Sequence, residues 1–164
     1  MKEKFRKLIF AIDKELEAYE KLRDLFKEKK ELLIQAKSDD LGVLDNKILA
    51  LNNSIVKLNE ARKNCSIELL GKEGCMSDFI ALSEEHEPEL KEALMLRKVK
   101  ICKTFEDLAL LNNQNVELLK HGMTITNKML ETIVDAFAPQ GSIYNGAGKT
   151  DSRDYDMWTV NEEI

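Results

Sequence analysis

Apolar residues recur along most of this chain at the spacing of helices packed side by side. Between Pro88 and Phe137, residues Leu94, Ile101, Leu108, Asn115, Gly122, Met129 and Ala136 stand seven apart and fall in one row. Leu90, Leu111, Leu118 and Ile125 lie in a second row beside it, and Phe105, Leu119 and Ile133 widen the stripe. A seven-residue repeat of this kind is a seam for packing against other helices. Two positions interrupt it. Asn115 puts an amide where an apolar residue is expected, either as a buried amide that sets helix register or as a partner contact, and the two roles are compatible. Gly122 removes the side chain and weakens the helix by about 1 kcal/mol relative to alanine.

Two earlier stretches carry the same repeat. Phe5, Ile12, Tyr19, Phe26 and Leu33 predict a helix from about Glu3 to Ala36, with Ile9 and Leu16 in a second row that Arg23 and Lys30 continue. Ser38-Asp39-Asp40 predicts a break and a new N-cap. The next helix has the cleanest spacing, alternating three and four: Leu41, Leu44, Ile48, Leu51, Ile55, Leu58, Arg62, Cys65, Leu69, stopping at Gly71. Asn52, Asn53 and Asn59 fall off that seam and are expected to be exposed. Ser77-Asp78 predicts the cap of a short helix from Phe79 to about Ser83, and Pro88 opens the long one. At 1.5 Å per residue that helix is about 75 Å long if unbroken, against about 45–50 Å for the first two. Its C-terminal third therefore overhangs its partners or bends near Gly122, leaving an apolar stripe uncovered. The predicted fold is all-α: an antiparallel bundle of three long helices plus one short helix, with coiled-coil-like packing, over residues 1–137. Residues 138–164 lose the periodicity, contain Pro139, Gly141, Gly146 and Gly148, and predict a flexible tail carrying Tyr144, Tyr155, Met157 and Trp158.

Composition agrees with long amphipathic helices: 34% charged, 6% aromatic, 7 Gly and 2 Pro in 164 residues. The net charge of −5 and the lack of a basic run argue against a nucleic-acid partner. No apolar run approaches the roughly 18 residues of a membrane span, so neither membrane insertion nor a signal peptide is expected, and a cytoplasmic location is. Cys65, Cys75 and Cys102 have no metal-type spacing and read as buried free thiols. Gly146-Ala147-Gly148-Lys149-Thr150 resembles the end of a phosphate-binding loop, but Ile143 stands where its first glycine belongs. A Glu-x-x-His di-iron pair is missing before both His86 and His121, and Glu84-Glu85-His86-Glu87 reads as a solvated loop. Neither enzymatic activity nor a cofactor is expected.

Several stretches together resemble the FlgN family of flagellar export chaperones. They are Leu25-Phe26-Lys27-Glu28-Lys29-Lys30-Glu31-Leu32-Leu33, the acidic break Asp39-Asp40-Leu41, Leu58-x-x-x-Arg62, and Leu111-Asn112-x-x-Asn115-x-x-Leu118-Leu119. Phe137-Ala138-Pro139-Gln140-Gly141 and Tyr144-x-x-x-Gly148 are similar to the family's aromatic-to-glycine ending, with either Phe137 or Tyr144 as its counterpart. The resemblance covers residues 5 to about 148. It implies a cytoplasmic chaperone that binds the helical C-terminal segments of hook-associated proteins, keeps them unassembled and delivers them to the membrane export gate. Cargo contact is then expected at Asn115, Leu118, Leu119, Met123, Met129, Leu130, Ile133 and Phe137, and contact with the export gate at Tyr144, in a monomer or weak homodimer. The competing reading is a structural coiled-coil protein that self-assembles through the same repeats.

Overall fold

The computed structural model describes residues 1–137. The chain divides into two units, 1–124 and 125–164. Unit one holds α1 (Lys2–Ile34), α2 (Ser38–Leu70), α3 (Met76–His86), a 3-10 turn (Pro88–Leu90) and α4 (Lys91–Phe137) as far as Thr124; in unit two the described part is the remainder of α4.

Contacts between distant residues set the helix directions. Lys4 donates to the Glu68 carbonyl (2.7 Å), Arg62 to Glu15 (2.7 Å) and Lys29 to Asp45 (2.6 Å), so α2 runs antiparallel to α1. Arg97 meets Asp13, Phe105 stacks on Tyr19, and Asn115 bonds to Phe26, so α4 runs parallel to α1. Unit one is thus a three-helix bundle with α3 closing one end. There Phe5, Leu8, Ile12, Leu69, Phe79 and Leu94 form the core, each 7% exposed or less.

The seam expected of α2 is observed: every one of its nine positions from Leu41 to Leu69 is buried or half-buried. Off that seam Asn52 and Asn53 are exposed, whereas Asn59 is half-buried beside Arg62. Helix ends follow local chemistry. α1 stops two residues short of the expected Ala36, because Ala36 turns left-handed (φ 53°). Its N–H then reaches the Leu33 carbonyl and that of Lys37 reaches Leu32, a Schellman closure at a position where glycine is usual. The N-cap of α2 is Lys37, so Ser38 lies inside the first turn with Asp39 and Asp40, which favour the positive end of the helix dipole. Gly71 ends α2 as expected, at φ 75°.

α3 differs most from its expected bounds. It is capped at Cys75, not at Ser77-Asp78: the Cys75 N–H donates to Asp78 Oδ2 (2.7 Å), completing a capping box. That bond holds the Asp78 carboxyl below its ordinary range. Glu84, Glu85 and His86 are the last turn of α3 rather than a loop. The cysteines also depart from expectation. All three are free thiols, but Cys75 and Cys102 are exposed and Cys65 is half-buried. Cys75 serves as a cap in a surface loop, and Cys102 stands one residue past the half-buried Ile101, on the outward side of α4.

Candidate functional site

Residues of α4 from Leu94 to Leu118 with alternating spacings of three and four, Leu94, Arg97, Ile101, Thr104, Leu108, Leu111, Asn115 and Leu118, are all buried or half-buried. Arg97 and Thr104 belong to this seam although periodicity alone passes over them as polar. Arg97 Nε and Nη2 grip the Asp13 carboxylate at 2.7 and 2.8 Å, and the hydrogen bond raises the guanidinium pKa. Thr104 satisfies its buried hydroxyl on the Lys100 carbonyl (2.9 Å).

A second polar group sits deeper. Glu15, 4% exposed, accepts from Arg62 Nε at Oε2 (2.7 Å) and from the Tyr19 hydroxyl at Oε1 (2.9 Å). The Tyr19 ring lies 4.7 Å from that of Phe105. One carboxylate thereby joins α1 to α2 under an aromatic pair that reaches α4. Burial, then the hydrogen bond to Glu15 and its charge, push the Tyr19 phenol up from 10.0 to about 12. A raised phenol pKa means that the fold favours the neutral form. Stability is expected to be fully present below pH about 10 and to fall as pH rises towards about 12. Urea unfolding at neutral pH and at pH about 11 checks this: Tyr19→Phe should remove that part of the alkaline loss.

Asn115, read both as a buried register-setting amide and as a cargo contact, is 4% exposed, and its Nδ2 donates to the Phe26 carbonyl (3.0 Å). It is an interior amide linking α4 to α1, so it stands apart from the exposed face. Leu118 is half-buried and lines a cleft of about 440 Å³ with Lys30, Ile34 and Gln114. From Leu119 to Val134 every residue is exposed. Among the large apolar ones, Leu119 is 40%, Met123 66%, Met129 63%, Leu130 54% and Ile133 52% exposed. Val116, Ile125 and Val134 are exposed in the same stretch. α4 is helical through Gly122, where a Cβ would meet open space, so no close approach demands glycine there. The side chain of Phe137, the residue Tyr144, the Gly146–Thr150 segment and the rest of the expected tail lie outside the described residues.

Among the described residues no group of three or more His, Cys, Asp or Glu is placed to hold a metal ion. No helix among them is long and apolar enough to cross a membrane. The family described as FlgN protein matches residues 1–152. The chain belongs to the FlgN family. FlgN proteins are flagellar export chaperones, so a binding face is what this FlgN chain is expected to carry. Neither the curated proteins nor the solved structures contain a match to it.

Proposed function

We propose that this chain is a cytoplasmic chaperone of type III flagellar export. It binds the helical C-terminal segments of hook-associated proteins, keeps them from assembling, and delivers them to the export gate. The observation that carries this reading is the run of exposed large apolar side chains on α4, from Leu119 to Val134. Such a stripe lies beyond what a polar helix surface needs and marks a partner site. A cargo helix with its own apolar face aggregates when free and is shielded when laid on this stripe. Met123 and Met129 supply flexible side chains that adapt to more than one cargo. The reading requires binding without catalysis and no cofactor. Tyr144 is the residue assigned to the gate, so Tyr144→Ala should leave cargo affinity unchanged.

A titration against a peptide from the C-terminal end of a hook-associated protein tests the proposal, with sedimentation to count chains. One-to-one binding is expected. Leu119→Asp with Ile133→Asp should weaken it by about 100-fold or more, since each removes an apolar anchor and buries a charge in the complex. Both positions are exposed, so circular dichroism should be unchanged. A stable homodimer that ignores the peptide would instead support structural self-assembly.

A further inference from the structure

We infer that unit one is built of two halves of unequal stability, and that the half at the α1–α2 turn opens as a unit while the half closed by α3 stays folded. This opening is a conformational device of the bundle and does not depend on the chaperone reading above.

The bonds Glu15–Arg62, Lys29–Asp45 and Asn115–Phe26, with the Tyr19–Phe105 ring pair, give the level of each helix along the bundle. At the α3 end lie α1 up to Ala18, α2 from Ile55 and α4 up to Thr104. The whole cluster of Phe5, Leu8, Ile12, Leu69, Phe79 and Leu94 is there. In the other half, α1 from Tyr19, α2 up to Ser54 and α4 from Phe105 to Thr124, the buried residues among those described are Leu44, Leu108 and Asn115. Its inward positions are still apolar, such as Leu22, Phe26, Leu33, Ile48, Leu51 and Leu111, but each is only half-buried. Stabilisation follows the apolar area removed from water, so this half receives less of it.

The hold of α4 on α1 in that half is polar and incomplete. Asn115 Nδ2 donates to the Phe26 carbonyl (3.0 Å), which leaves Asn115 Oδ1 buried without a donor. Turning the amide over sets its oxygen against that carbonyl and gives no relief. Arg23 Nε is also buried without a hydrogen bond: it stands 3.5 Å from Asp24 Oδ1, and Nη1 of the same side chain stands 3.9 Å from Asp107. Buried polar groups without partners oppose folding, and water meets them when the segment opens. The cleft of about 440 Å³ lined by Lys30, Ile34, Gln114 and Leu118 stands where close packing of α1 on α4 would otherwise add dispersion. Lys29–Asp45 (2.6 Å) ties α1 to α2 here, but Asp45 is exposed, and pairs of that kind contribute little. The α3 half instead has Asp13–Arg97 at 2.7 and 2.8 Å and the buried Glu15–Arg62 pair at 2.7 Å. Local opening draws on segments with little buried apolar surface. It would bring Leu22, Phe26, Leu33, Leu111 and Leu118 into water, so the apolar surface that unit one offers is set by this equilibrium.

Amide exchange of the full chain at neutral pH in low urea tests the inference. Residues 22–32 and 107–118 are expected to exchange together, at least about tenfold faster than residues 8–16 and 94–101. Asn115→Leu removes the unmet oxygen, and the Phe26 carbonyl keeps the Lys30 N–H of its own helix. This variant should slow exchange in 22–32 by at least about threefold and leave 8–16 unchanged. Arg23→Met should act in the same direction, and covers the case in which leucine is too large for its site. Equal protection of the two halves overturns the inference. So does exchange in 22–32 that both variants leave unchanged or quicken, because the unmet polar groups would then not be what loosens this half.

Discussion

Replacing Arg62 by alanine is expected to cost the fold about 3–5 kcal/mol, because it strands a carboxylate in the interior. Glu15 Oε2 has Arg62 Nε at 2.7 Å, and the side chains are 6% and 23% exposed. With Arg62 gone, Glu15 keeps only the Tyr19 hydroxyl, which cannot neutralise its charge. Desolvation of an unpaired ion is the large term; the Coulomb energy of the intact pair mostly offsets it. The double variant Glu15→Leu with Arg62→Leu is accordingly expected to be near neutral or more stable than the natural chain. Urea midpoints of the two single variants and the double one decide the point. Equal, small losses in all three would mean that water reaches Glu15 freely and that the pair lies in a high-dielectric site.

Phe79→Ala is the second large effect, at about 3–5 kcal/mol. Phe79 is 0% exposed and belongs to the cluster with Phe5, Leu8, Ile12, Leu69 and Leu94. It is a main apolar anchor of α3, a helix of 11 residues. So short a helix is not stable alone in water, so its order depends on that anchor. The loss should therefore have two signatures: a lower urea midpoint for the whole domain, and amide exchange in α3 faster than in α1 and α2. A lowered midpoint with α3 still as protected as its neighbours would show that Ser83, Ile80 and the capping box hold the helix without the ring.

Periodicity reached the helices and the buried face of α2 because those depend on residues a few positions apart. It reached the exposed stripe of α4 for the same reason: Leu119, Met123, Met129, Leu130 and Ile133 are apolar in a helix longer than its neighbours. It missed Arg97 and Thr104. Their polarity marks them as surface until their partners are known, and Asp13 lies 84 residues away from Arg97. Cysteine burial is a statistical preference, and at Cys75 the need for an N-cap overrode it. Asn115 was legible as a candidate buried amide, but its partner, the Phe26 carbonyl of another helix, was not.

The amino-acid order by itself determined that this is an all-helical chain of the FlgN kind, where its second helix stops, and that α4 carries more apolar surface than a lone amphipathic helix needs. The helices, the stop at Gly71 and the apolar excess follow from local spacing and propensity; the FlgN kind follows from the resemblance of stretches such as Leu111-Asn112-x-x-Asn115-x-x-Leu118-Leu119. Tertiary structure decided which seam of α4 is buried and which is exposed, which polar side chains belong to the interior, and that α4 runs parallel to α1. A repeat states only that a face must be covered. What covers it depends on where α1 ends, at Ile34, and on ion pairs such as Asp13–Arg97 and Glu15–Arg62, whose members meet only after the helices have packed.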